Sequence, residues 1–180
     1  MGASKRENDF VHVMADTLSK KYNVTFDFIN LFQWEAMHYD RAESLQLLEK
    51  FSNKNYDFVV IQLGENISNV FTLEQDFVEL INYVKKTISS KAEFVMLGQF
   101  WKNDLIDMIK QNACTLTKSH FINLTDIQNS KYQVGIGCEV FGEDGTKHIV
   151  NHPGVALHPN DKAMKVFVER ILKALNLKIT

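Results

Sequence analysis

Apolar and polar positions along the chain predict an alternation of helices and strands. Between residues 8 and 22, Phe10, Val11, Met14, Ala15 and Leu18 recur at helical spacing. Val24-Thr25-Phe26-Asp27-Phe28-Ile29 is short and rich in β-branched and aromatic residues, the composition of a strand. Leu45, Leu47, Leu48 and Phe51 predict a helix over about 41–51. Phe58-Val59-Val60-Ile61-Gln62-Leu63 then forms a continuous apolar run, as in a parallel strand covered on both faces. The pattern goes on with a helix over 73–88, a strand over 93–97, a helix over 103–113 and a strand over 121–124. It closes with a helix over about 160–175, which carries Met164, Phe167, Val168, Ile171, Leu172 and Leu175 on one face. Between about 128 and 157 glycines intervene, and Asp144-Gly145 predicts the tight turn of a small hairpin. Strands alternating with helices point to an α/β fold with a doubly wound parallel sheet, organised as a single domain over 1–180.

Composition narrows the partners. Of 180 residues 45% are hydrophobic and 23% charged, with only two prolines, so a disordered or low-complexity chain is excluded. A formal charge of -2, from 20 basic and 22 acidic side chains, offers neither a cationic surface for nucleic acid nor a polybasic membrane anchor. No apolar run approaches the roughly 20 residues of a membrane span, and the start lacks the apolar core of a secretory signal. A soluble chain without a targeting signal is expected, its compartment unknown. Cys114 and Cys138 lack the spacing of a zinc motif or a disulfide framework; two free thiols are expected, with a single disulfide as the alternative. His148, His152 and His158 have no carboxylate or thiol in register and are poorly spaced for zinc. Lys20-Lys21 and Lys85-Lys86 read as solvated charges near helix ends.

In open α/β sheets ligands bind beyond the carboxyl ends of the strands, so the residues that follow strands are the candidates. Gly64 allows a strained turn after the apolar strand, and Asn66 can offer an amide N–H to a developing oxyanion; the plain alternative is a loop asparagine bonding its own backbone. His158, between Leu157 and Pro159 at the entrance of the last helix, has the chemistry of a general base, with a loop histidine as the plain alternative. Trp34, Glu35 and His38 follow the second predicted element and are candidate pocket residues, Trp34 being equally a packing anchor. Phe100-Trp101, after the 93–97 strand, is a candidate pocket wall or core cover.

Two of these segments resemble a known family. Phe58-Val59-Val60-Ile61-Gln62-Leu63-Gly64-Glu65-Asn66 is similar to the third sequence block of the SGNH (GDSL-like) hydrolases, a strand ending in Gly-x-Asn-Asp. His158-Pro159-Asn160-Asp161-Lys162-Ala163-Met164 resembles their fifth block, in which the catalytic histidine precedes the last helix. The resemblance covers about 5–176. It implies a three-layer α/β/α flavodoxin-like fold and esterase chemistry through an acyl-serine intermediate. In it Asn66 is the oxyanion donor, His158 the base, and Gly64 shapes the turn that presents Asn66; Glu65 beside it is a candidate binding residue. No metal or organic cofactor is implied. The substrate class is a small-molecule or carbohydrate ester, and the insertion before His158 resembles that of bacterial carbohydrate deacetylases.

The chain departs from the family pattern at three places. No apolar strand ending in Gly-Asp-Ser precedes the first helix; Gly2-Ala3-Ser4 is the nearest match, which makes Ser4 the candidate nucleophile or else a residue at the helix start. Asn30-Leu31-Phe32 stands where the family has Asn-x-Gly, and Val155 stands where it has an aspartate three residues before the histidine. These departures predict a chain that starts after the first strand of a longer parent, with an exposed sheet edge through which it self-associates. The alternative function is a catalytically inactive, ligand-binding remnant of such a hydrolase. A flavodoxin-like nucleotide or response-regulator module is disfavoured, because no glycine-rich phosphate loop or acidic cluster follows a strand.

Overall fold

The computed structural model describes residues 2–52, 54–142 and 144–178 and is mixed α/β. Its elements, in chain order, are α1 (Phe10–Ser19), α2 (Phe32–Ala36), α3 (Arg41–Ser44), β1 (Phe58–Ile61), α4 (Leu73–Thr87), β2 (Glu93–Leu97), α5 (Asp104–Thr117), β3 (His120–Ile122), β4 (Glu139–Phe141), β5 (Lys147–Ile149), α6 (Pro153–Ala156) and α7 (Asp161–Ala174). They fall into two compact units, one contiguous over Ile29–Asn123 and the other made of the residues up to Phe28 and from Leu124 onward.

The contiguous unit is built on a three-stranded parallel sheet in the order β1-β2-β3. Phe58 pairs with Glu93 and Ile61 with Met96, while Val95 pairs with His120 and Leu97 with Ile122. The central strand behaves as its apolar sequence requires: Phe94, Val95, Met96 and Leu97 are all buried. β1, at the sheet edge, is only half-buried except for Ile61. The core joins the sheet to α4 and α5 through Phe77, Leu80, Ile81, Ile61, Met96, Ile106 and Ala113.

Two predicted elements take another form. The segment 24–29 is not a strand: Phe26 and Phe28 are 43% and 65% exposed, and no described strand pairs with it. A strand exists only through its ladder, so β-propensity without a partner leaves an extended loop. The helix expected over 41–51 is four residues of α3 followed by a 3-10 helix over Leu45–Phe51. Its buried Leu45 and Leu48 are three apart, which suits the tighter winding, and the Ser44 hydroxyl bonds back to the Asp40 carbonyl at 3.1 Å.

In the second unit α1 packs on α7, with Phe10 and Phe167 ring centroids 6.2 Å apart in an edge-to-face arrangement. The predicted hairpin is present. β4 and β5 are antiparallel, with Glu139 opposite Ile149, and their turn is closed by the Gly142 N–H donating to the Thr146 carbonyl at 2.8 Å. Gly145 supplies the positive φ of +78°. Among the described residues no helix is long and apolar enough to cross a membrane.

Candidate functional site

The turn after β1 gathers donors around one carboxylate. Gly64 has φ +121°, and a β-carbon there would stand 2.3 Å from Gln99 Nε2 and 2.8 Å from Lys110 Cε, so only glycine fits this bend. The bend turns successive N–H groups to one side. The Gly64 N–H donates to Glu35 Oε1, the Glu65 N–H to the same oxygen at 3.2 Å, and Asn66 Nδ2 to Glu35 Oε2 at 2.7 Å. Glu35, from α2, is buried; Asn66 is exposed. Backbone N–H groups and a carboxamide converging on a carboxylate are the donor set that an oxyanion needs.

Behind the turn lies a cluster of ionisable groups, Lys110 and Asp107 buried and Glu65 half-buried. Glu65 reaches toward the loop after β2 and accepts the Phe100 N–H at 2.8 Å. Burial pushes its carboxyl up to about 7, against the pull of the Phe100 and Trp101 N–H groups and the Lys110 charge. Lys110, on α5, is fully buried and donates to the Leu97 carbonyl at 2.9 Å. Burial lowers its ammonium to about 8, while Glu65, Asp107 and Glu35 oppose that shift. Asp107 accepts the Gln99 N–H at 2.7 Å, and burial raises its carboxyl. A carboxyl that titrates near neutrality at the carboxyl end of a parallel sheet is equipped to move a proton.

Sequence reasoning places Gly64, Glu65 and Asn66 after the apolar strand and names Glu35 only as a candidate pocket residue, and it misses Lys110 and Asp107. Their signal is present. The buried stripe of α5 is Ile106, Asp107, Ile109, Lys110, Ala113, Cys114 and Thr117, so two charges interrupt an otherwise apolar helical face.

The second unit holds the other candidates. His158 is half-buried, its N–H donates to the Val155 carbonyl at 3.1 Å, and its own carbonyl accepts the Val134 N–H at 3.0 Å. Burial lowers its imidazole pKa, which favours the neutral base. Ser4 lies in the same unit. Its hydroxyl donates to Asp161 Oδ2 at 2.6 Å, its N–H donates to Asp161 Oδ1 at 2.8 Å, and Asn8 Nδ2 bonds both groups, at 3.0 Å to Ser4 Oγ and 2.9 Å to Asp161 Oδ2. Ser4 thus ties the amino-terminal segment to the start of α7 and borders a cleft of about 350 Å3 together with Asn160 and Cys138. Gly2 packs so closely on the peptide after Pro159 that a β-carbon would stand 2.3 Å from the Pro159 carbonyl oxygen.

Trp34 is in the core, 4.9 Å from the Phe77 ring and with the Arg41 guanidinium over it at 5.0 Å. Trp101 is half-buried and His38 exposed. His148 pairs with Asp144 at 2.9 Å, and His152 Nδ1 accepts the Gly154 N–H at 3.1 Å. Among the described residues no group of three or more histidines, cysteines and carboxylates is placed to hold a metal ion. Cys114 and Cys138 are free thiols, the first buried and the second exposed. The chain was compared with protein-family models, with curated proteins and with solved structures, and none matches.

Proposed function

We propose that this chain is an SGNH-hydrolase-like ester hydrolase domain of three-layer α/β/α flavodoxin-like type, acting on a small-molecule or carbohydrate ester. The observation that carries the reading is the turn after β1: Gly64 at positive φ, followed by N–H groups and the Asn66 amide arranged around the two oxygens of one carboxylate. An acyl-transfer intermediate carries a negative oxygen of the same kind, and each such donor is worth about 3 kcal/mol of transition-state stabilisation. In the reaction His158 takes the proton of a serine hydroxyl as its oxygen bonds to the acyl carbon. The carbonyl electrons move onto the acyl oxygen, a charge for which Asn66 is the donor we propose. Collapse of this intermediate expels the alcohol, which takes the proton from His158, and water repeats the sequence to release the acid.

The alternative function, a ligand-binding remnant without turnover, is favoured by a different observation. The Ser4 hydroxyl, the candidate nucleophile, is committed to Asp161 and Asn8. A fluorophosphonate serine probe followed by intact mass and peptide mapping separates the two. An adduct on one serine, lost in His158→Ala and slowed by about 100-fold in Asn66→Ala, is the expected result for the hydrolase. No adduct on folded protein, together with no hydrolysis of 4-nitrophenyl acetate or acetylated sugars, would overturn it in favour of the remnant.

A further inference from the structure

We propose that Glu35 is a positioning residue whose carboxylate sets the polarity of the Asn66 carboxamide, and with it which atom of that side chain meets a bound acyl oxygen. The catalytic consequence rests on the function proposed above; the pairing itself does not.

A carboxylate has acceptors only, whereas a carboxamide has a donor end and an acceptor end. Glu35 Oε1 takes the Gly64 and Glu65 N–H groups, and Oε2 lies 2.7 Å from the Asn66 side chain. The atom of Asn66 that faces Glu35 must therefore be nitrogen, since its oxygen would meet another acceptor. One N–H of that nitrogen is spent on Glu35, which leaves the second to the exposed side chain's surroundings. Without Glu35, nothing in the turn would choose between the two orientations of the amide.

Glu35 is itself held in place. It belongs to a five-residue helix whose Trp34 is buried against Phe77, and Arg41 Nε bonds the Trp34 carbonyl at 3.1 Å while its guanidinium also pairs with Asp76. The buried Lys110 ammonium supplies the compensating positive charge. α2 therefore acts as a rigid arm that delivers one acceptor to the turn.

The test uses polarity reversal, which a space-filling role would not sense. Glu35→Gln keeps the oxygen that receives the two backbone N–H groups but places NH2 opposite Asn66, so Asn66 must present its oxygen inward. Asn66→Asp instead sets carboxylate against carboxylate and should lower the folding equilibrium constant about tenfold; combined with Glu35→Gln, the new amide donates to the new carboxylate and most of that loss returns. Strictly additive effects of the two substitutions would overturn the proposal. An independent measurement is the side-chain 15N–1H2 pair of Asn66 in NMR spectra. The proton that faces Glu35 should be shifted downfield by the carboxylate, widening the separation of the pair beyond that of a free carboxamide, and this extra separation should disappear in Glu35→Gln; unchanged resonances would overturn the proposal even if one variant folds poorly. Where ester turnover is measurable, Glu35→Gln should lower kcat 10- to 100-fold with KM little changed, and the double variant should regain stability without regaining kcat. Absence of turnover in the parent would sink the hydrolase reading, and the stability cycle would then decide the role of Glu35 by itself.

Discussion

Glu65 makes folding stability depend on pH in a direction opposite to that of an ordinary salt-bridged carboxylate. Its carboxyl titrates at about 7 in the folded chain, against 4.5 without its surroundings, because burial disfavours the charge. Between those values the folded state binds the proton and the unfolded state does not, so stability falls as pH rises through the window and is level above it. The difference corresponds to about 3 kcal/mol at most. The window of Lys110 lies higher, between about 8 and 10.5, and does not overlap. Glu65→Gln should therefore remove the share of the slope between pH 4.5 and 7 that Glu65 contributes, so urea midpoints of parent and variant should diverge progressively across that range. Parallel curves would refute the assignment. At this scale the sequence is informative where chemistry follows a strand directly: Gly64, Glu65 and Asn66 are legible because an apolar run ends in glycine. Lys110 leaves only a weak local signal, a charge interrupting the apolar stripe of α5, because a lysine becomes a buried charge only when the helix carrying it docks.

The element that best shows local instructions obeyed is α7. Asn160 accepts the N–H groups of Lys162 and Ala163 at 3.0 and 3.2 Å, and its amide donates to the Lys131 and Gln133 carbonyls at 3.1 and 2.8 Å. One side chain thus caps the helix and fastens the loop that runs beside it. Asn160→Ala should cost about 2 kcal/mol, the upper range for a lost cap, because two carbonyls lose their donor as well. Asn160→Asp keeps the cap acceptor but not the donors and should cost about half as much. Chemical denaturation that finds the alanine variant within a few tenths of a kcal/mol of the parent would contradict this account. The cap, the apolar runs of β1 and β2 and the Asp144-Gly145 turn are readable because each is decided within a few residues. The segment 24–29 misleads for the complementary reason: Val24, Phe26 and Phe28 have strand propensity, but pairing is a property of the neighbours, and no described strand provides one.

For the whole molecule the consequence lies at the edge of the parallel sheet. β2 is hydrogen-bonded on both sides and buried, whereas β1, among the described residues, has a strand partner on one side only and keeps Phe58, Val59 and Val60 half-exposed. Parallel strands with apolar side chains on both faces normally lie inside a sheet, and natural edge strands are usually guarded by lysine, proline or a bulge. The sequence Phe58-Val59-Val60-Ile61 contains neither lysine nor proline. A formal charge of -2 adds little repulsion between copies of the chain. Each copy offers the same backbone groups along this edge, so two copies can satisfy one another edge to edge. Self-association through β1 is the expected outcome: the weight-average mass in sedimentation equilibrium should rise with protein concentration, and amides of 58–61 should gain hydrogen-exchange protection as it does. The thermal midpoint should climb with concentration as well, since mass action favours any folded species that assembles. A chain that stays monomeric across that range and melts in one cooperative, concentration-independent transition would mean that the edge is covered by something other than a second copy.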